Sequence, residues 1–109
     1  MTVYLLHLKQ PLSRGTNANG KALEASHYIG YTDDLIGRIL DHAEGHGARF
    51  TQVCCERGID FLLARVWEGK GASRCFERRL KNYKKAHLLC PTCDPGALER
   101  MKLENLSLK

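Results

Sequence analysis

The chain has 109 residues, enough for one domain with a modest core and too few for two. Hydrophobic residues at 43% and charged residues at 27% fit a folded globular protein and exclude a disordered chain. The 17 Lys and Arg outnumber the 12 Asp and Glu, and the net charge of +5 favours a polyanionic partner.

Val3 to Leu8 is an apolar, β-prone run with a polar break at His7, and it predicts a strand. Pro11 to Leu23 gathers Ser13, Gly15, Thr16, Asn17, Asn19 and Gly20, a cluster of turn formers that predicts a loop. His27 to Tyr31 is a second short strand, expected to pair antiparallel with the first. Thr32 and Asp33 are good helix N-caps, and Asp33 and Asp34 suit the positive end of a helix dipole. The helix they open carries Leu35, Ile39, Leu40 and Ala43 on one side and ends at Gly45 and Gly47. Ile59 to Trp67 predicts the third strand, with Leu62, Ala64 and Val66 on one face and Phe61, Leu63 and Arg65 on the other. A second helix is predicted from Ala72 or Ser73 to Ala86, with Phe76, Leu80 and Tyr83 as its buried stripe. Pro91 and Pro95 interrupt the next stretch, and Ala97 to Leu106 predicts a last helix. The order predicts an α/β domain over residues 1–88, a small sheet covered by helices, with residues 89–109 as a tail packed on it.

No apolar run approaches the roughly 18–20 residues that cross a bilayer. Met1 to Leu6 lacks the basic flank and the small-residue cleavage site of a secretory signal. A cytoplasmic protein is therefore expected. The odd set of Cys54, Cys55, Cys75, Cys90 and Cys93 is expected as thiols in a reducing compartment.

The residues with chemistry to offer are Tyr4 and Tyr28 on the paired strands, with Tyr31 just beyond. Arg38 and His42 share one side of the first helix, and Glu77 and Lys81 lie one turn apart on the second. The set suits phosphodiester hydrolysis. A hard cation such as Mg²⁺ or Mn²⁺ needs few protein carboxylates, because waters and phosphate oxygens complete its shell, so Glu77 suffices. The metal would polarise the phosphoryl oxygen and stabilise the leaving 3′ oxygen. Arg38 would neutralise charge developing on the phosphate. A tyrosine or His42 would take the proton of the attacking water. The two leave different pH signatures. A phenolate base gives a rate that rises above neutrality, and a histidine base gives one that levels off near its own pKa.

Val3-Tyr4-Leu5 followed by Tyr28-Ile29-Gly30 resembles the paired elements that name the GIY-YIG nuclease superfamily. Tyr28 through Leu35, then Arg38 and His42, resembles that family's second strand and following helix. Gly45, Gly47 and Ala48-Arg49-Phe50-Thr51 resemble a segment of its small bacterial members, and Glu77 with Leu80-Lys81 resembles its metal-binding helix element. The resemblance spans residues 3 to 86 and is carried by the ordered combination. It implies a three-stranded mixed sheet flanked by helices and a metal-dependent DNA endonuclease. By resemblance, Tyr4 is the general base or water-positioning phenol, and Tyr28 orients the phosphate or nucleophile. Arg38 stabilises the phosphate, His42 assists proton transfer and Glu77 holds the metal. Val3 stands where the family usually has glycine, and the loop from Pro11 to Leu23 is longer than in the shortest members.

Arg14, Lys21, Arg49, Arg78, Arg79, Lys81, Lys84 and Lys85 are expected to touch DNA phosphates. Specificity is expected from loops, a homodimer or a partner protein. Cys90-Pro91-Thr92-Cys93 is half of a zinc knuckle, for which His87 is close in sequence and Cys54, Cys55 or Cys75 would have to come near in space. The competing expectations are a non-catalytic nucleic-acid-binding module of the same fold and a zinc-stabilised interaction domain.

Overall fold

A computed structural model of the chain describes residues 1–103, apart from the side chains of Arg14, Ala22 and Leu23. Strand β1 (Thr2–Thr16) and strand β2 (Ala22–Thr32) form a hairpin, followed by helices α1 (Leu35–Ala43) and α2 (Arg49–Glu56). Strand β3 (Phe61–Glu68) and helix α3 (Arg74–Tyr83) complete the α/β domain, and two short 3-10 turns, Ala86–Leu88 and Ala97–Glu99, shape the tail.

The sheet order is β2-β1-β3, and both pairings are antiparallel, so the expected mixed sheet is corrected. Helices α1 and α2 carry the chain from the Thr2/Thr32 end of the hairpin to the Leu8/Phe61 end, and β3 therefore enters running against β1. Strands β2 and β3 point the same way, but β1 lies between them.

The expected loop from Pro11 to Leu23 is largely strand. Its turn is confined to Asn17–Lys21, where the Asn17 side-chain oxygen accepts from the Asn19 and Lys21 amides at 2.9 and 3.0 Å. Pro11 is tolerated because it lies in an irregular stretch between the pairs His7↔His27 and Leu12↔Ala25, beyond the last β1–β3 pair at Leu8↔Phe61. Its missing N–H breaks no ladder there.

Helix α1 is capped by Asp34, which accepts from the Gly37 amide at 3.1 Å. Its inner face is Leu35, Arg38, Ile39 and His42, whereas Leu40 and Ala43 are exposed, so the expected apolar stripe is turned away from the core in part. Arg38 and His42 thus share the face of Leu35 and Ile39. Helix α2 was not anticipated. Gly45 and Gly47 precede it, Ala48 caps it with no side-chain bond, and Phe50, Thr51 and Val53 are modest helix formers. Packing makes it: Phe50, Val53 and Cys54 join Leu8, Leu12, Ile59 and Phe61 in one apolar cluster. Helix α3 buries Phe76 and Leu80, with Tyr83 alongside, against Val3, Leu5, Ile29 and Trp67, as expected. Ser73 caps it, accepting from Phe76 at 3.2 Å, and Lys84 in the left-handed region stops it short of Ala86.

The expected alternation of β3 is interrupted. Leu5 pairs with Arg65 and Leu6 with Leu63, which leaves Ala64 as a bulge. Arg65 is buried with its guanidinium 4.4 Å over Trp67. It donates to the carbonyls of Leu89 (3.2 Å), Ala97 (2.7 Å) and Arg100 (2.5 Å), and Trp67 Nε1 donates to Met101 at 2.8 Å. These bonds hold the tail on the sheet. They also explain why the helix expected from Ala97 to Leu106 is a single 3-10 turn: Arg100 is extended and Met101 left-handed. Residues 104–106 of that expectation lie outside the described residues.

Arg65→Met keeps the stem over Trp67 but leaves carbonyl groups unpaired. The expected loss is about 2–4 kcal/mol by urea unfolding, with faster proteolysis of the segment after Tyr83. An unchanged urea midpoint would show that the tail does not depend on these bonds.

Candidate functional site

Tyr4 sits on the central strand and is fully buried. Its partner across the ladder is Gly30, and a Cβ there would overlap the Tyr4 phenol ring and hydroxyl. Glycine at that position is what lets the ring lie over β2. Tyr4 Oη is 2.7 Å from Nε2 of His42, which α1 brings to the same point. The His42 ring is also fully buried, and its Nδ1 lies 2.6 Å from Thr51 Oγ1 on α2. A Cβ on Gly47 would overlap Nδ1, so a second glycine clears the space on that side.

The protons in this chain can be placed. Thr51 donates its one hydroxyl proton to the Ala48 carbonyl at 3.0 Å. Toward His42 it can therefore only accept, so Nδ1 carries the hydrogen and bare Nε2 accepts from the Tyr4 hydroxyl. Burial, reinforced by the Arg38 charge and opposed by Asp41, holds His42 down to about 4, which keeps it neutral. Burial pushes Tyr4 up to about 12, against the pull of the Arg38 guanidinium. Neither group titrates near neutrality.

In front of Tyr4 a cleft of about 620 Å³ opens beside β2, lined by Tyr4, Tyr28, Tyr31, Arg38, Arg74, Glu77 and Lys81 among others. The Arg38 guanidinium reaches both the Tyr4 and Tyr28 phenols. Tyr28 stacks on Phe50 with ring centroids 5.5 Å apart. Helix α3 presents Arg74, Glu77 and Lys81 in steps of three and four. Lys81 pairs with Glu77 at 3.2 Å, and Arg74 lies 4.7 Å over the Tyr31 ring. The structure thus gathers Tyr4, Tyr28, Arg38 and Glu77 on one cleft, with His42 directly behind Tyr4.

Sequence reasoning missed Arg74 and Thr51. Arg74 had a signal, three residues before Glu77 on one helix face. Thr51 had none beyond its segment, because its role depends on α2. Of the basic residues expected to meet a polyanion, Lys81 lines the cleft, and Lys84 lines an adjoining groove with Tyr28. Lys21, Arg49, Arg78, Arg79 and Lys85 are exposed elsewhere on the surface, and the Arg14 side chain lies outside the described residues.

A second group of side chains lies at the hairpin. His7 and His27 are directly opposed on β1 and β2, with ring nitrogens 3.3 Å apart. Cys90 and Cys93 approach them from the tail. The four donor atoms lie within 4.8 Å of one another, a group that can hold a metal ion. His87 is exposed and is not part of it. Nor are the other cysteines: Cys54 is in the α2 cluster, Cys55 donates to the His42 carbonyl at 3.3 Å, and Cys75 is exposed on α3.

Neither a family profile, a curated protein nor a solved structure matches the chain.

Two outcomes follow from this geometry. Gly30→Ala should displace the Tyr4 ring and break its bond to His42, read as a shift of the His42 ring resonances; resonances identical to wild type would show that the ladder relaxes around a methyl group. The second concerns pH. His42 has a folded pKa of about 4, below the 6.5 of the free side chain. Its contribution is complete above 6.5 and is lost as pH falls toward 4, because the unfolded chain takes up the proton first, by up to about 3 kcal/mol. His42→Gln should flatten that part of the curve of urea midpoint against pH. An unchanged slope would place the acid sensitivity on other groups.

Proposed function

We propose that the chain is a small GIY-YIG-type endonuclease that hydrolyses phosphodiester bonds in DNA with one Mg²⁺ or Mn²⁺. The observation that carries this reading is the convergence of Tyr4, Tyr28, Arg38 and Glu77, from four different elements, on one cationic cleft. The donor set fits the metal. Glu77 supplies a largely buried carboxylate, with a side chain 14% exposed, and the phenols and phosphate of a bound substrate would supply further oxygens. When bound, the metal would polarise the phosphoryl group and stabilise the leaving oxygen.

The chain's own groups do the rest. Arg38, flanked by Arg74 and Lys81, would hold the phosphate oxygens and neutralise charge on them. Tyr4 already gives its hydroxyl proton to His42, so of the two Oη lone pairs, one faces Arg38 and the other would receive a proton from water. As the water oxygen bonds to phosphorus, its proton passes to Tyr4 Oη and the Tyr4 proton passes to His42 Nε2. The bond to the 3′ oxygen breaks, and that oxygen takes a proton from solvent. His42 is a weak base in the free protein, and a bound polyanion beside Arg38 raises its basicity at the moment it is needed. Tyr28 would orient the phosphate from the other side of Arg38.

Nicking of supercoiled plasmid tests the reading. Glu77→Gln should abolish Mg²⁺-dependent nicking while retaining DNA binding, and Tyr4→Phe should slow it by ~10²–10⁴-fold. With pKa values of about 12 and 4 for Tyr4 and His42 in the free protein, kcat/KM should carry no titration of either between pH 6 and 9. Nicking by Glu77→Gln at the wild-type rate would sink the metal assignment. A rate rising tenfold per pH unit would replace the relay with a free phenolate. DNA binding without nicking by the wild-type protein would favour the non-catalytic module.

A further inference from the structure

We propose that His7, His27, Cys90 and Cys93 form a closed, structural zinc site that clasps the C-terminal tail to the β1–β2 hairpin. This inference is independent of the nuclease reading.

The first argument is metric. Zinc binds imidazole nitrogen at about 2.0–2.1 Å and thiolate sulfur at about 2.3 Å in tetrahedral sites. A regular tetrahedron with those bonds has edges of about 3.3 Å between nitrogens and about 3.6 Å between nitrogen and sulfur. The two ring nitrogens, His7 Nδ1 and His27 Nε2, are 3.3 Å apart. His7 Nδ1 is 3.6 Å from both Cys90 Sγ and Cys93 Sγ, and His27 Nε2 is 3.4 Å from Cys93 Sγ. Four of the six edges that a zinc ion would impose are thus in place, and all four donor atoms lie within 4.8 Å of one another.

The second argument is where the ligands stand. His7 and His27 face each other across one antiparallel pair, which fixes the two imidazoles side by side. Cys90 and Cys93 are held by a tight turn in which the Cys93 and Asp94 amides both donate to the Cys90 carbonyl, at 3.0 and 2.9 Å. Both cysteines are free thiols, and Cys90 is fully buried. Two soft sulfurs, two imidazoles and no carboxylate select zinc over Mg²⁺. Four protein ligands leave no open position, which marks the site as structural rather than catalytic. Binding is balanced by release of the two thiol protons, giving a neutral Zn(S)₂(N)₂ centre.

The test uses the full chain, purified without chelator. Elemental analysis should find one zinc per chain. Cobalt titrated into the metal-free protein should give the strong visible bands of a tetrahedral centre with thiolate-to-metal charge transfer. Cys93→Ser and His27→Gln should each weaken zinc binding by ~100-fold or more, since losing even a hydrogen-bond partner of a ligand costs about 10–100-fold. Cys75→Ser should leave it intact. Chelation should lower the thermal midpoint and expose the tail to protease. Zinc well below one per chain, iron or copper in its place, an octahedral cobalt spectrum, or unchanged affinity in both ligand variants would overturn the proposal. Where a ligand variant fails to fold, the cobalt spectrum of the wild-type chain decides. No nuclease assay enters the test, so the two readings can fail separately.

Discussion

A fully buried imidazole with a partner on each nitrogen organises this molecule. A buried ring left unpaired at either nitrogen would be costly, and a charged one more so. His42 avoids both penalties by drawing in Tyr4 from the central strand and Thr51 from α2, and Thr51 in turn is committed to Ala48. One side chain thereby ties β1, α1 and α2 together. Gly30 and Gly47 are the two positions at which any side chain would collide with this arrangement. Arg38, one turn earlier on the same helix face, lies beside both phenols. The cleft owes its shape to a core contact rather than to a flexible surface loop.

The parts of the site that were legible in the sequence are those whose geometry is local. Arg38 and His42 share a helix side because they are four apart, and Glu77 and Lys81 do likewise. Tyr4 and Tyr28 could be recognised as strand residues, but that they lie on one cleft follows from the register Tyr4↔Gly30 and Leu6↔Tyr28, which no local pattern states. Helix α2 was hidden because Ala48 offers no capping side chain and its sequence is half β-prone, so only tertiary packing specifies it. The hairpin was underestimated because its turn formers are spread over more residues than the turn itself uses. Simple alternation put Arg65 on the face of Phe61 and Leu63 and did not state its burial, and the bulge at Ala64 interrupts that alternation.

The same contrast explains the His7–His27–Cys90–Cys93 cluster. The Cys90–Cys93 pair announces itself by spacing. Its complement was sought nearby, at His87, or among the other cysteines, whereas it stands on the hairpin. His7 was visible only as a polar break in an apolar strand. Its pairing with His27 depends on the register just before the irregular stretch at Pro11. A one-residue slip there would turn His27 to the opposite face and dissolve the group.

The cleft and the His7–His27–Cys90–Cys93 cluster are not separate additions to the fold. Helix α3 starts at Ser73 with Arg74 and Glu77 turned toward the cleft, and its apolar side, Phe76 and Leu80, packs in the cluster that contains Leu89 and Cys90. Cys90 is thus a core residue and a candidate ligand at once. Whatever fixes the tail from the hairpin side also fixes the wall against which α3 rests, and with it the position of the carboxylate that faces the cleft. In a domain this small the core cannot be large. The polar clasp from Arg65 supplies rigidity on one flank that apolar area alone would not.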